Sequence, residues 1–193
     1  MEKCYILAAR NSKINRMNNF YLKWGVGLII ASIITGCGSN ANLGVPVKIN
    51  SRFNDEQPAL SGNGLLLAFV SNRNGRREIL LYDRQLKQFL DLPGLNKPGA
   101  IAENPSLSYN GRYIVYIGTE QGRPELQLYD RVTKSVQILS MGYRGWIRNP
   151  SISPDGRYIT FESSNRGDWN IEVFDRGSNI EIDRPDGSIS SPP

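Results

Sequence analysis

Histidine is absent from the 193-residue chain, and cysteine occurs only twice, at Cys4 and Cys37. The absence of histidine excludes His-dependent catalytic triads, histidine general bases and the usual zinc sites. The chain also lacks a Gly-x-Ser-x-Gly elbow that would expose a nucleophilic serine. We therefore expect no catalytic residue, no metal site and no cofactor, and the protein is not expected to be an enzyme.

Excess positive charge is confined to the first part of the chain. The whole chain has 23 basic and 18 acidic residues, and residues 1–36 contain five of the basic ones and one of the acidic ones. The rest of the chain therefore carries 18 basic and 17 acidic side chains. Such a nearly neutral region offers no electrostatic footprint for nucleic acid, so nucleic acid is not expected as a partner.

No apolar run is long enough to cross a membrane as a helix. The longest run, from Trp24 to Ile34, is well short of the roughly 20 residues that a spanning helix needs. It follows a polar stretch that carries Lys23 and ends in small residues, an order that is typical of a signal peptide. The letters ITGC, which end at Cys37, resemble the lipobox of bacterial lipoproteins.

The lipobox resemblance implies export and anchoring. Residues 1–36 are then a signal peptide, Cys37 carries a diacylglyceryl group, and residues 37–54 form a lipidated linker. Two translation starts stay open, Met1 and Met17, of which Met17 gives a signal of ordinary form. An uncleaved amphipathic anchor with an incidental cysteine is the alternative. The implied location is the periplasmic side of the cell envelope, on either the inner or the outer membrane.

A three-fold repeat dominates the remaining chain. The units occupy residues 57–84, 104–131 and 149–176, align without gaps, and recur at intervals of 47 and 45 residues. Each opens with a short extended piece, reaches an Asn-Gly or Asp-Gly pair, and closes on an aromatic-Asp-Arg triplet. These pairs favour a type I′ hairpin turn, and the β-branched and aromatic residues after them favour strands.

The repeat predicts an all-β fold. A second glycine-bearing turn leads to a third strand, and a fourth apolar run follows as QFLDL, SVQIL or NIEI. Four strands in about 45 residues are typical of a β-propeller blade. The second strand of unit two, from Tyr113 to Ile117, is apolar without a break, as expected for a sheet covered on both faces. We expect three four-stranded blades across residues 55–183, and a disordered tail at 184–193.

The third unit, NPSISPDGRYITFESSNRGDWNIEVFD, resembles the repeat of TolB-type β-propellers. Unit two departs from that pattern at Tyr109-Asn110, and unit one has Leu65 where the family places arginine. The resemblance implies periplasmic exposure and envelope proteins as partners. Propellers usually have more than three blades, so we expect a sheet face at each end that needs a cover. A homodimer that completes a six-bladed ring, another partner chain, and a stand-alone protein with polar end faces are the alternatives.

Residues that differ between the units are better binding candidates than repeated ones. Asp83, Asp130 and Asp175 recur once per unit, so a structural role is favoured for them over calcium binding or catalysis. The unit-specific arginines and aromatics have the composition of an interface hot spot, with core packing as the alternative for the two tryptophans. The predicted partner-binding residues are Tyr143, Arg144, Trp146, Arg148, Arg166 and Trp169.

These observations favour a lipid-anchored envelope propeller that binds or scaffolds proteins without catalysis. Two other functions stay open, a ligand-sensing or carbohydrate-binding propeller and the remnant of a propeller-fold hydrolase. The fold follows from the repeat, whereas the function depends on sites that the repeat does not reveal.

Overall fold

The computed structural model describes residues 49–120 and 122–188, in which every regular element is a β-strand. The predicted signal peptide, Cys37, the predicted linker up to Lys48 and residues 189–193 lie outside the described residues. The strands are β1 (Asp55–Leu60), β2 (Leu66–Ser71), β3 (Glu78–Asp83), β4 (Gln88–Leu90), β5 (Ile101–Leu107), β6 (Tyr113–Glu120), β7 (Arg123–Asp130), β8 (Ser135–Ile138), β9 (Ile147–Ile152), β10 (Tyr158–Ser163) and β11 (Asn170–Asp175).

The strands form three antiparallel sheets, one per repeat unit. The orders are β1-β2-β3-β4 in blade 1, β5-β6-β7-β8 in blade 2 and β9-β10-β11 in blade 3. Each sheet is a simple meander, because every strand pairs with its neighbour in sequence. The all-β, three-bladed fold expected from the repeat is confirmed.

Blade 3 has three strands instead of the expected four. In the described part of the chain, the run NIEI after β11 pairs with no strand. Gly177 adopts a φ of 92°, whereas Gln85 and Val132, at the same place in blades 1 and 2, do not have positive φ. The chain therefore leaves blade 3 in another direction, and residues 181–184 bind the first hairpin turn of blade 2 instead.

The prediction of a type I′ turn in the first hairpin of each blade is wrong. Gly64, Gly111 and Gly156 have φ values of 68°, 68° and 82°, but the Asn or Asp before each glycine does not have positive φ. A type I′ turn needs positive φ at both positions. Each glycine N–H instead donates to the carbonyl of the serine three residues earlier, at 2.8–3.0 Å. Only the glycine takes the left-handed conformation in this longer turn.

The blades stack so that one face of each sheet packs on the next blade. We call this the forward face, which consists of Leu66, Ala68, Val70, Ile79 and Leu81 in blade 1 and of Tyr113, Val115, Ile117, Leu126 and Leu128 in blade 2. Both sets are buried, the first against blade 2 and the second against Ile147, Ile152, Ile159 and Phe161 of blade 3. The two interblade layers form the core of the protein.

The first strand of each blade contains a bulge at the repeated proline. Gln57, Asn104 and Asn149 precede these prolines with φ values of 51–52°. The pairing of each first strand with the second strand shifts register at this point. Proline has no N–H to donate to a ladder, so it is tolerated where the ladder is interrupted. The repeated proline thus marks a bulge at the same place in every blade.

Candidate interaction surface on blade 3

The open face is the face of blade 3 that corresponds to the forward faces of blades 1 and 2. It carries Tyr158, Thr160 and Glu162 on β10 and Ile171 and Val173 on β11. Ile171 is 72% exposed and Val173 is 64% exposed, although the equivalent Leu126 and Leu128 of blade 2 are buried. The open face therefore presents apolar side chains to solvent at positions that pack against another blade elsewhere in the protein.

An arginine–tryptophan stack lies beside these aliphatic side chains. The Arg148 guanidinium carbon is 3.8 Å from the centroid of the Trp169 ring, within the range of a cation–π contact. Arg148 Nε donates to Glu162 Oε2 at 2.6 Å, and Asn149 Nδ2 donates to Glu162 Oε1 at 2.9 Å. The bonds from Asn149 and Arg148 lower the pKa of Glu162. This carboxylate therefore stays ionised and fixes the arginine over the tryptophan.

The structure separates five of the six predicted partner-binding residues into two groups, and the sixth, Tyr143, packs inward. Arg148 and Trp169 are in contact on the open face, and Trp146 is exposed just before β9, two residues ahead of Arg148. Arg144 and Arg166 are exposed, and the backbone N–H of Arg144 donates to Asn165 Oδ1 in the loop that carries Arg166.

Tyr143 is placed differently from the other five residues. Its ring packs edge-to-face on Phe161 with centroids 5.6 Å apart, beside the core between blades 2 and 3. Burial raises the pKa of its hydroxyl. Tyr143 therefore supports the loop from inside, while its neighbours face solvent.

Sequence reasoning missed the aliphatic part of the open face. Ile171 and Val173 occupy repeat positions that are core in the other blades, so their pattern alone suggests burial. The informative sequence signal is in β10, where the apolar Ile159 and Phe161 alternate with Thr160 and Glu162, and burial follows the same alternation. Such alternation is typical of a sheet with one covered face.

The repeated Asp and Arg residues have structural partners. Asp83, Asp130 and Asp175 each accept a hydrogen bond from a backbone N–H two residues later, in the turn after the third strand. Asp130 and Asp175 also pair with Arg112 and Arg157. Bonds from Arg157 and Gly177 lower the pKa of Asp175 to about 2. The following arginines, Arg84, Arg131 and Arg176, each donate to the carbonyl of the turn glycine.

These contacts agree with the structural role favoured for the repeated aspartates. The serines Ser61, Ser108 and Ser153 likewise bond within the hairpin turns, where each hydroxyl accepts the N–H of the residue five positions later. No group of three potential metal-ligating side chains occurs among the residues that the structure describes. The same part of the chain contains no helix of the length and apolarity that a membrane crossing requires.

A second candidate binding site lies along the first strands of the three blades. A shallow cavity of about 300 Å³ is lined by the three bulge residues and the prolines that follow them. Its polar groups are the side chains of Gln57, Asn104 and Asn149, and Gln57 Oε1 accepts the N–H of Asn104 at 2.7 Å. The cavity offers amide groups and no charged lining residue.

Known structures share this stack of blades. TolB from Acinetobacter baumannii superposes with a TM-score of 0.58 and 24% identity, covering 73% of this chain and 32% of that chain. The chain has the TolB-type propeller fold. A TolB-type protein from Agrobacterium tumefaciens matches with a TM-score of 0.55 and 18% identity, covering 70% of this chain and 50% of that one.

Enzymes with propellers have similar folds. Oligogalacturonate lyase from Vibrio parahaemolyticus matches with a TM-score of 0.51 and 18% identity, covering 67% of this chain and 38% of that chain. This chain therefore spans a third to a half of the length of these three structures. No protein-family model and no curated protein matches it. At these identities the likeness establishes the fold and leaves the function to the site.

Proposed function

We propose that this protein is a lipid-anchored propeller of the cell envelope that binds or scaffolds other proteins without catalysis. The observation that carries the proposal is the open face, where Ile171 and Val173 are exposed at positions that are buried in the other two blades. A TolB-type fold and the lipobox-like sequence before Cys37 support the envelope location. The absence of histidine from the chain supports a role without catalysis.

The composition of the open face suits a protein partner. Aliphatic side chains lie beside Trp169 and Arg148, and tryptophan and arginine are the residue types most enriched at binding hot spots. The stack with Glu162 holds the arginine in place before binding, which lowers the side-chain entropy that association costs. A partner that covers this face buries preordered aromatic and aliphatic surface together.

A different protein is favoured over a second copy of this chain. A six-bladed homodimer requires the outer face of blade 1 to receive the open face of blade 3. In blade 1 the rings of Phe69 and Tyr82 are only 3% and 4% exposed, with Phe89 and Arg73 packed on them. Light scattering of residues 38–193 tests this point, because a stable dimer would favour the ring and a monomer would favour a different partner.

Affinity capture from solubilised envelope tests the proposed function. We expect the wild-type protein to retain a partner and Ile171→Asp to lose it, because the charge enters the apolar patch. Leu86→Asp is the matched control, since Leu86 is an exposed aliphatic residue in a turn of blade 1. Equal capture by both variants would mean that the open face does not bind the partner.

Lipid attachment at Cys37 is tested separately. We expect mass spectrometry of the envelope fraction to find a cleaved chain that begins at Cys37 with acyl groups attached. Two or more acyl chains anchor a protein stably where a single chain is marginal. An intact, unlipidated Cys37 in that fraction would contradict the anchoring and leave the binding surface unaffected.

Ligand sensing or carbohydrate binding is the second candidate, and the amide-lined cavity favours it. Gln57, Asn104 and Asn149 offer donors and acceptors that suit the hydroxyl groups of a sugar. Isothermal titration with oligosaccharides should then give binding that Asn104→Ala weakens and Ile171→Asp leaves unchanged. No oligosaccharide binding, or binding that Asn104→Ala leaves unchanged, would count against this second function.

A further inference from the structure

The third strand of blade 3 has an unpaired edge. In blade 1 the third strand pairs with a fourth from Leu81↔Leu90 to Asp83↔Gln88, and in blade 2 β7 pairs with β8 in the same antiparallel manner. β11 pairs with β10 along one edge, and no strand within residues 49–120 and 122–188 pairs with the other. The fourth-strand position of this blade is therefore vacant in the described structure.

The edge of β11 lacks three devices that often block strand pairing, although it carries the acidic residues Glu172 and Asp175. It has six residues, contains neither proline nor lysine, and pairs with β10 without a bulge. Proteins commonly blunt exposed edges with such residues or with bulges, because an unprotected edge recruits other strands. An edge that is regular and flanked by the exposed Ile171 and Val173 can therefore accept another strand.

The segment that would fill this position is held elsewhere. Asp183 is buried, and its carboxylate accepts bonds from Ser108 Oγ at 2.6 Å, from the N–H of Asn110 at 2.7 Å and from Asn110 Nδ2 at 3.1 Å. Arg112 pairs with Glu181 at 2.7 Å. We call residues 181–184 the strap, because these contacts fasten them to the first turn of blade 2.

The turn of blade 2 depends on the strap in a way that the other turns do not. In blade 1 the turn's own Asn63 Oδ1 accepts from Ser61 Oγ at 2.7 Å and from the N–H of Leu65 at 2.9 Å. Asp155 does the same in blade 3. In blade 2 the Asp183 carboxylate accepts these two bonds instead, from Ser108 Oγ at 2.6 Å and from the backbone N–H of Arg112 at 3.4 Å. The strap is thus built into the turn and kept away from β11.

We infer that the vacant edge of β11 binds an extended segment of the partner protein as an antiparallel fourth strand. The inference rests on the proposed function, that blade 3 binds a protein, and adds how the partner binds. Alternate apolar side chains of the segment would pack on Ile171 and Val173. A basic side chain on the other face would meet Glu172, which forms no ion pair among the described residues. Recognition of this kind draws affinity from main-chain hydrogen bonds.

A labelled peptide tests strand addition directly. The probe is KSVQILS, residues 134–140, which includes the strand that fills the equivalent position in blade 2. We expect saturable fluorescence polarisation with the full chain, and slower hydrogen exchange within residues 170–175 when the peptide is bound. Protection of β7 in place of β11, or no saturable binding, would overturn the inference.

Backbone methylation of the probe distinguishes strand pairing from side-chain adhesion. In a strand, alternate N–H groups point to the same neighbour. N-methylation at Val136 and Ile138, or at Ser135, Gln137 and Leu139, therefore blocks one edge only. We expect one of the two peptides to lose about tenfold or more in affinity while the other binds as before. Equal loss with both would overturn the inference.

Two variants test the role of the strap. Asp183→Ala removes both acceptor oxygens, so the strap should be released, fill the vacant edge itself, slow exchange in β11 and weaken peptide binding by about tenfold. Adding Ile182→Pro should restore peptide binding, because a proline strap cannot pair fully with β11. A loss that the proline does not rescue would mean that Asp183 only stabilises the fold, which overturns this part of the inference.

The same experiments separate this inference from the proposed function. If Ile171→Asp abolishes envelope capture while both methylated peptides bind equally, blade 3 binds a partner without strand addition. If Ile171→Asp leaves capture unchanged, the proposed function itself fails.

Discussion

The second strands of blades 2 and 3 occupy the same repeat position but differ in burial. In β6 the six residues from Tyr113 to Gly118 are all buried, whereas in β10 buried and more accessible residues alternate from Tyr158 to Ser163. The forward face of blade 2 packs on blade 3, and the open face of blade 3 packs on nothing in the described structure. A terminal blade is thus recognised by the return of alternation within an otherwise continuous repeat.

Blade 1 ends the stack on the other side and is covered by its own residues. Arg73 lies 5.3 Å from the centroid of Phe69 and 5.1 Å from that of Phe89, and it pairs with Asp55 at 2.7 Å. Blade 3 repeats this arrangement with Arg148, Trp169 and Glu162, but Ile171 and Val173 stay outside it. Both ends therefore use an arginine on an aromatic ring; Phe89 stays 45% exposed at blade 1, and the aliphatic residues Ile171 and Val173 are exposed at blade 3.

The largest expected effect comes from placing a charge on the two equivalent faces. Val115→Asp should lower the free energy of unfolding by about 4 kcal/mol or more, because Val115 is 0% exposed and the carboxylate would have no partner. Thr160→Asp, at the same repeat position of blade 3, should change it by less than about 1 kcal/mol. Urea denaturation measures both. Similar losses in the two variants would mean that the open face is covered in solution.

Truncation of the third strands should give a smaller difference in the same direction. Leu126→Ala should cost about 2–5 kcal/mol, since it removes a buried side chain between two blades. Ile171→Ala, the equivalent change on the open face, should cost about 0.5 kcal/mol or less. Thermal unfolding checks the pair. A large loss for Ile171→Ala would contradict the exposure of this face.

Acid should destabilise the two ends unequally. Burial raises the pKa of Asp55, but the bonds from Arg73, Ser51 and Ser71 lower it further, so its pKa lies well below the ordinary value. A carboxyl whose pKa is depressed by folding stabilises the fold fully above about pH 4 and loses this contribution as the pH falls.

We therefore expect Asp55→Asn to remove roughly 1–3 kcal/mol at neutral pH and to flatten the loss of stability in acid. Glu162→Gln, in the exposed pair on the open face, should leave the acid profile close to that of the wild type. Urea titrations from neutral to acidic pH measure both profiles. A steeper acid dependence at Glu162 than at Asp55 would reverse this ranking of the two ends.

The smallest expected effect concerns the point where blade 3 departs from the repeat. Gly177→Gln restores the residue found at this place in blade 1 and should cost about 1 kcal/mol, because the φ of 92° disfavours a side chain. It should also turn the chain towards the fourth-strand position and slow hydrogen exchange in β11. Gly75→Gln, at a φ of 85° in an exposed turn, controls for the backbone cost alone and should leave β11 exchange unchanged.

The sequence predicted much of the fold because its signals are local. A turn glycine such as Gly111, the strand letters after it and the recurrence of both are legible without a structure. The prediction of a type I′ turn was wrong because an Asn-Gly pair is compatible with more than one turn. In this turn the Gly111 N–H donates to the Ser108 carbonyl, and only the glycine has positive φ. The missing strand was unpredictable because NIEI has the same apolar pattern as its counterparts.

The candidate surface was predictable in part for the same reason. Trp146, Arg148 and Trp169 stand out because they are absent from the other units, and the structure places them at one end of blade 3. Ile171 and Val173 conform to the repeat, so their sequence gives no sign that the next blade is absent. Exposure of a repeated residue depends on whether another blade packs against it, and the letters of β11 do not record this, although the alternation in β10 does.

The sequence by itself determined three blades, their meander order and the positions of their turns, since each of these depends on residues within about one repeat of one another. Only the tertiary structure decided where the strap, residues 181–184, binds. Asp183 meets Ser108 and Asn110 across 75 and 73 positions of sequence, where a buried carboxylate completes a turn that Asn110 leaves unsatisfied. Hydrogen bonds between such distant positions form only after the blades have stacked, and they leave the edge of β11 open.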